Sequence, residues 1–214
     1  MSNDAQATST RRPGRPKGGS EDKKARILAE ALTLFSTRGY VGTSLADIAR
    51  ASDISKAGLL HHYSSKDQLL AAVLDERDRR TMSRLPGGDE GAEVALDAWV
   101  EMVAHNQRHP DGVALYTAMS AAVIDADHQA HPWFRQHLMS AIAYLVDALE
   151  RGKTTGEVRA DAPSEQIARK LVALSDGLQV QWLCARVDGG GEVDMHGVTA
   201  GVVADVKDRW LVRS

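Results

Sequence analysis

The residues from Ser55 to Tyr63 bring together groups suited to touching a nucleic-acid duplex. Lys56 supplies a phosphate-seeking charge near the start of a short helical stretch, and Ala57 and Gly58 are small enough to let a backbone approach closely. His61 and His62 offer ring nitrogens as donors or acceptors. Leu59 is the central apolar anchor, so one side must pack while the other stays polar and free. The remaining histidines suggest a different chemistry. His105 and His109 stand four apart, and His128, His131 and His137 cluster further on. Two histidines at that spacing can share a metal, but a complete site needs ligands that the spacing does not assign. Solvated or internally satisfied histidines are the simpler account, so neither metal nor cofactor is expected. Asp188-Gly189-Gly190-Gly191-Glu192 reads as a loop, because it lacks the spaced ligand set of a calcium site. No nucleophile elbow, phosphate-binding glycine loop, paired-histidine zinc signature or dinucleotide fingerprint is present, so no catalytic residue is assigned and no enzyme is expected.

The elements that must carry Ser55–Tyr63 are helices. Ile27, Leu28, Ala31, Leu32, Leu34 and Phe35 recur at helical spacing from Glu21, and Gly39 stops the helix near Arg38. A shorter helix covers about 44–51, with Thr43 or Ser44 as N-cap and Leu45, Ile48 and Ala49 inward. Ser55 caps the next, after a break at Ser52-Asp53-Ile54. Ser65-Lys66-Asp67-Gln68 has capping-box form and opens a helix carrying Leu69, Leu70, Val73 and Leu74, which ends before Leu85-Pro86-Gly87-Gly88. Two short helices joined by a tight turn and preceded by a supporting helix make a helix-turn-helix. Beyond Gly91 no alternating pattern supports a sheet. Helices are expected at about 92–109, 112–125, 132–152, 164–186 and 194–211, giving an all-α chain. The expected organisation is an arm over 1–20, a helix-turn-helix domain over 21–84 and a helical domain over 85–214.

Charge divides the chain. Through Arg84 there are 15 Lys and Arg against 10 Asp and Glu, and beyond it 11 against 19, so a cationic front precedes an acidic rear. A hydrophobic content of 43% suffices for a core, and no apolar run reaches the roughly 20 residues of a membrane span. One cysteine, Cys184, excludes an intrachain disulfide framework, which fits a reducing, cytoplasmic setting.

Several ordered matches over Lys24 to Leu74 resemble the TetR (tetracycline-repressor) family of regulators: Ile27-Leu28-x-x-Ala31-x-x-Leu34-Phe35, Gly39-Tyr40, Thr43-Ser44, Asp47-Ile48-Ala49, Ile54-Ser55-Lys56 and Leu59-x-His61-His62-Tyr63-x-Ser65-Lys66-x-x-Leu69-Leu70. The resemblance implies a homodimer on operator DNA, a repressor released by a small-molecule effector. It places Thr43, Ser44, Lys56, His61, Tyr63 and Lys66 at or beside phosphates, and Ser55, Ala57, Gly58 and His62 toward base edges. Three residues depart from the family pattern: Asp53 replaces a common Gly, Gly58 a Thr or Ser, and Leu60 a Tyr. Arg11, Arg12, Arg15 and Lys17, in Arg11-Arg12-Pro13-Gly14-Arg15-Pro16-Lys17, resemble the Gly-Arg-Pro core of minor-groove hooks; an inert solubilising tail is the alternative.

In the rear half, Trp99, Met102, Tyr116, Met119, Trp133, Phe134 and Trp182 suit an apolar ligand and equally an ordinary core. Asp176 and Gln179 stand out on a helix otherwise rich in Leu and Val, as pocket wall or interface. Ala168, Ala173, Gly177, Ala200, Gly201 and Ala204 would allow close helix approach in a dimer, against ordinary intrachain packing. A DNA-binding adaptor without a small ligand is the alternative reading.

Overall fold

The computed structural model describes residues 19–87, 90–120, 125–189 and 191–212. The arm and its Arg11, Arg12, Arg15 and Lys17 lie outside them. The elements are α1 (Ser20–Arg38), α2 (Leu45–Ala51), α3 (Lys56–His62), α4 (Lys66–Met82), α5 (Ala92–Gln107), α6 (Pro110–Ser120), α7 (His131–Thr155), α8 (Ser164–Asp188) and α9 (Met195–Trp210). The chain is all-α, and one isolated bridge, Val158 to Leu211, is the extent of β pairing among the described residues.

The local signals account for the helix starts. Ser44 settles the choice of cap for α2: its hydroxyl accepts the Asp47 N–H at 3.2 Å and the Asp47 carboxylate accepts the Ser44 N–H at 3.2 Å. The Ser44 hydroxyl also donates to the Asp47 carboxylate at 2.5 Å. That bond, then the one from the Ser44 N–H, and the charges of Arg50 and Arg38 hold the Asp47 carboxyl below the usual range. Ser55 caps α3 through the Gly58 N–H at 3.0 Å, and Ser65 caps α4 through the Gln68 N–H at 3.0 Å. The reciprocal half of the expected capping box is displaced by one residue. The Gln68 amide oxygen accepts from the Ser64 N–H at 2.6 Å instead of from Ser65. Asp53 has φ 53°, the only positive φ outside glycine among the described residues, so the α2–α3 turn uses the left-handed conformation that Asp tolerates.

Several ends differ from the expected spans, most of all those of α6 and α7. α6 starts at Pro110 rather than Gly112, with the proline at its first position, where a missing N–H costs nothing. It is described to Ser120, and Asp125 is not helical. α7 runs on to Thr155 before Gly156, at φ 80°, stops it.

Packing does not divide at Arg84. Ile27, Phe35, Ile48, Leu59, Leu70 and Leu74 form a core that continues into Leu115, Tyr116, Met119, Ala130 and Phe134. α1 therefore sits directly on α6. The second cluster joins α5 to α9 and α7 to α8 around Trp99, Leu145, Leu149, Leu171 and Trp182. No helix among the described residues is long and apolar enough to cross a membrane.

Candidate nucleic-acid interface and effector cavity

α3 is held from one side. Leu59 is fully buried, whereas Ser55, Lys56, Ala57 and His61 are exposed and Leu60 keeps 39% of its surface. Gly58, His62 and Tyr63 are half-buried. The outward strip thus offers one cation, one imidazole, a hydroxyl and small or apolar surface. Leu60, standing where the family usually has Tyr, contributes an apolar side chain.

Two residues placed beside phosphates by the resemblance face inward. Thr43 is 1% exposed, and its hydroxyl donates to the carbonyls of Leu34 at 3.1 Å and Gly39 at 2.9 Å. Its side chain therefore braces the α1–α2 corner rather than reaching the surface. The Lys66 ammonium donates to the carbonyls of Tyr40 at 2.9 Å and Thr43 at 3.1 Å, and lies 4.2 Å from the Tyr40 ring centre. Tyr40 in turn donates its hydroxyl to Asp67. Burial, with help from Asp67, pushes the Tyr40 phenol upward, so it stays a donor. Together they fix the start of α4 to the corner from which α2 and α3 project. Ser44 is exposed, but its hydroxyl is engaged in the α2 cap.

Of the nine candidate effector residues, five meet. Trp99, Met102, Tyr116, Asp176 and Gln179 line one cavity of about 30 Å³, with room for water but not for an organic molecule. Gln179 is 5% exposed and its amide oxygen has no hydrogen-bond partner among the described residues. The Trp99 indole donates to Ser175 at 3.1 Å, and the Tyr116 hydroxyl to Asp176 at 3.2 Å. Burial holds the Asp176 carboxyl above its usual range. Met119 and Phe134 instead belong to the core beneath α1 and α4. The Trp133 indole donates to Asp75 at 2.9 Å and stacks on His137, and Trp182 packs under Arg186.

Sequence reasoning missed Arg77. Its guanidinium lies 4.5 Å from the Tyr116 ring centre and 3.4 Å from Asp78, with the residue only 9% exposed. Asp78 also holds His137 at 2.8 Å, so α4 is tied to α7 beside the cavity. No group of three or more His, Cys, Asp or Glu among the described residues could hold a metal; His105 and His109 lie against each other with ring centres 4.0 Å apart and planes tilted by 35°.

His105 gives a pH prediction. Burial, then the charges of His109, Arg84 and Arg108, depress its pKa from 6.5 to about 4. The folded state therefore resists a proton that the unfolded chain accepts. The associated stability is complete above about pH 6.5 and lost progressively as pH falls toward 4. In urea titrations, His105→Gln is expected to lose less stability than the unsubstituted protein between pH 7 and pH 4.5. Identical slopes would rule that out.

Residues 27–73 match the family model described as bacterial regulatory proteins, tetR family. The chain is 26% identical over 176 residues to the HTH-type transcriptional repressor AcnR of Corynebacterium diphtheriae, covering 80% of this chain and 84% of that one. It is 38% identical over 82 residues to the HTH-type transcriptional repressor Rv3405c of Mycobacterium tuberculosis, covering 37% and 43% respectively. Among solved structures, the SmeT-triclosan complex superposes with a TM-score of 0.74 at 17% identity, covering 90% of this chain and 93% of that chain.

Proposed function

Because the chain belongs to the TetR family of bacterial regulatory proteins, we propose that it is a sequence-specific transcriptional repressor, binding its operator as a homodimer and released by a small molecule. The observation that carries this is the one-sided mounting of α3, with Leu59 buried and Ser55, Lys56, Ala57 and His61 free to enter a major groove. Residues 21–84 form the DNA-reading head, with the cationic arm of 1–20 preceding it. Ser55, Ala57, Gly58 and His62 address base edges, while Ser44, Lys56, His61 and Tyr63 address or border the backbone; Thr43 and Lys66 act by positioning.

α8 and α9 supply the dimer face. Ala173, Gly177, Gly201 and Ala204 are exposed, as are Val180 and Val198, whereas Ala168, Leu171 and Val203 pack within the chain. The effector site is the cavity at Trp99, Tyr116, Asp176 and Gln179. Its small volume means that a ligand must part α4 from α7 to enter. The Arg77 and Asp78 contacts then carry that movement along α4 to the head. The triclosan complex of a neighbour with the same fold supports a small organic effector.

The test is selection of bound fragments from a random duplex pool by the full chain. Enrichment of an inverted repeat with half-sites about one helical turn, roughly 34–36 Å, apart is the expected result. Retention of all duplexes equally at low ionic strength would refute the reading.

A further inference from the structure

A second void lies outside the core cavity. It is a cleft of about 280 Å³ where α1, α4 and the α5–α6 turn meet, just below the roughly 300 Å³ at which organic-ligand sites begin. Arg77, Thr81 and Asn106 form the partition between the two voids, each lining both. The Arg77 stem floors the cleft beside Gly112, while its guanidinium passes inward to Tyr116.

The cleft lining mixes apolar and charged side chains. Leu28, Leu32, Val73 and Val113 make an apolar wall. Arg80, Arg108 and His109 also line it, with the first turn of α6, whose N–H groups favour an anion although Asp111 stands in the same turn. Two acids also line it, Glu76 and Asp111. Glu76 already accepts from both Arg79 and Arg80, at 2.8 and 2.7 Å. Arg108 forms no ion pair among the described residues, and its guanidinium keeps the planar fork that binds carboxylates in pairs of hydrogen bonds. Arg80 and Arg108 are matched in number by Glu76 and Asp111, but Glu76 is engaged by two arginines, so Arg108 is the guanidinium left for a ligand. With the aliphatic lining beside it, the cleft suits one negative end and one apolar body.

We propose that this cleft binds a small organic carboxylate, its acid group at Arg108 and the start of α6 and its apolar body against Leu28, Leu32 and Val73. The site is separate from the core cavity and does not require the core to open. It lies on the contact between α1 and α6, so its occupant touches both the helix that supports the head and the helix that abuts the core. The inference rests on the cleft alone and is independent of the repressor reading.

Isothermal calorimetry on the full chain, without DNA, tests it with 4-phenylbutyrate, 4-phenylbutanamide and 4-phenylbutylamine as probes. The carboxylate is expected to bind at least about tenfold more tightly than the amide or the amine, which leave Arg108 unmatched. Ala29→Phe, at an exposed cleft position, and Arg108→Gln are each expected to weaken phenylbutyrate about tenfold or more. Gln179→Leu, in the core cavity, is expected to leave it unchanged. Circular dichroism melts establish that each variant is folded. Equal binding of the three probes, no binding of phenylbutyrate at millimolar concentration, or loss in Gln179→Leu with retention in Ala29→Phe would each overturn the proposal. Because DNA is absent from the measurement, such a failure leaves the repressor reading to be judged by the duplex selection.

Discussion

Ala57→Glu is expected to abolish tight operator binding while leaving the protein as stable as before, or slightly more so. Ala57 is the second residue of α3 after the Ser55 cap and is exposed. A carboxylate there complements the partial positive charge of a helix start and strengthens α3 by a few tenths of a kcal/mol. Facing a duplex, the same carboxylate meets phosphate and acceptor-rich base edges at close range and replaces a side chain small enough to permit approach. A penalty of about 1.4 kcal/mol per head, at the low end for one wrong base-edge contact, is tenfold in affinity, and two heads on one operator make it about a hundredfold. Lys56→Ala should behave differently: a milder loss, uniform across sequences, with the salt slope reduced by about one per head. Gel-shift titrations at three salt concentrations, beside thermal melts, separate these effects. If Ala57→Glu bound its selected operator as tightly as the unsubstituted chain, α3 would not be the reading helix.

Those predictions concern the part of the molecule most legible from its residues. The head could be inferred because its caps, stops and apolar spacing are local: Ser44, Ser55 and Ser65 each bond an N–H three residues on, and Leu59 alone anchors α3. Side-chain direction was less legible where a tertiary partner decides it. The Thr43 hydroxyl could face solvent or the α1 carbonyls, and only the folding of Leu34 and Gly39 around it settles the matter. Lys66 follows the same logic, its ammonium drawn to two carbonyls at a corner formed by residues more than twenty positions away.

In the rear half the difficulty was chemical rather than geometric. Burying a charge is costly, so a stripe scan counts only apolar residues and passes over Arg77. Yet Leu70, Val73, Leu74, Arg77 and Thr81 keep one helical period, and all five are buried. Continuing the stripe through its polar positions would have found the wall shared by the cavity and the cleft. Met119 and Phe134 show the converse. Aromatic and polarisable side chains mark cores as readily as pockets, and here the core beneath α1 and α4 claims them.

Gly152→Ala is expected to cost about 2 kcal/mol, although the same change in an open helix would gain about 1 kcal/mol from helix propensity. Gly152 lies in the last turns of α7, and a Cβ built there would stand 2.4 Å from a Val158 methyl and 3.1 Å from the Ala92 Cβ. Neither neighbour can move cheaply. The Val158 N–H donates to the Gly152 carbonyl at 2.9 Å, and the adjacent Glu157 carboxylate accepts the N–H groups of Ala92 at 2.9 Å and Glu93 at 2.8 Å, capping α5. The flanking backbone is pinned to the end of α9, through Arg159 N–H to Trp210 at 2.9 Å and Val212 N–H to Glu157 at 2.8 Å. One added methyl group therefore strains the meeting point of three helices at once. Val158→Ala alone should cost about 1–2 kcal/mol as a small cavity. In the double variant the new methyl occupies space that the valine has vacated, so the two losses are expected to fall short of their sum by at least about 1 kcal/mol. Urea unfolding of the four proteins measures that coupling. Additive losses, or a Gly152→Ala protein more stable than the original, would show that the corner yields and that glycine is not required there by contact.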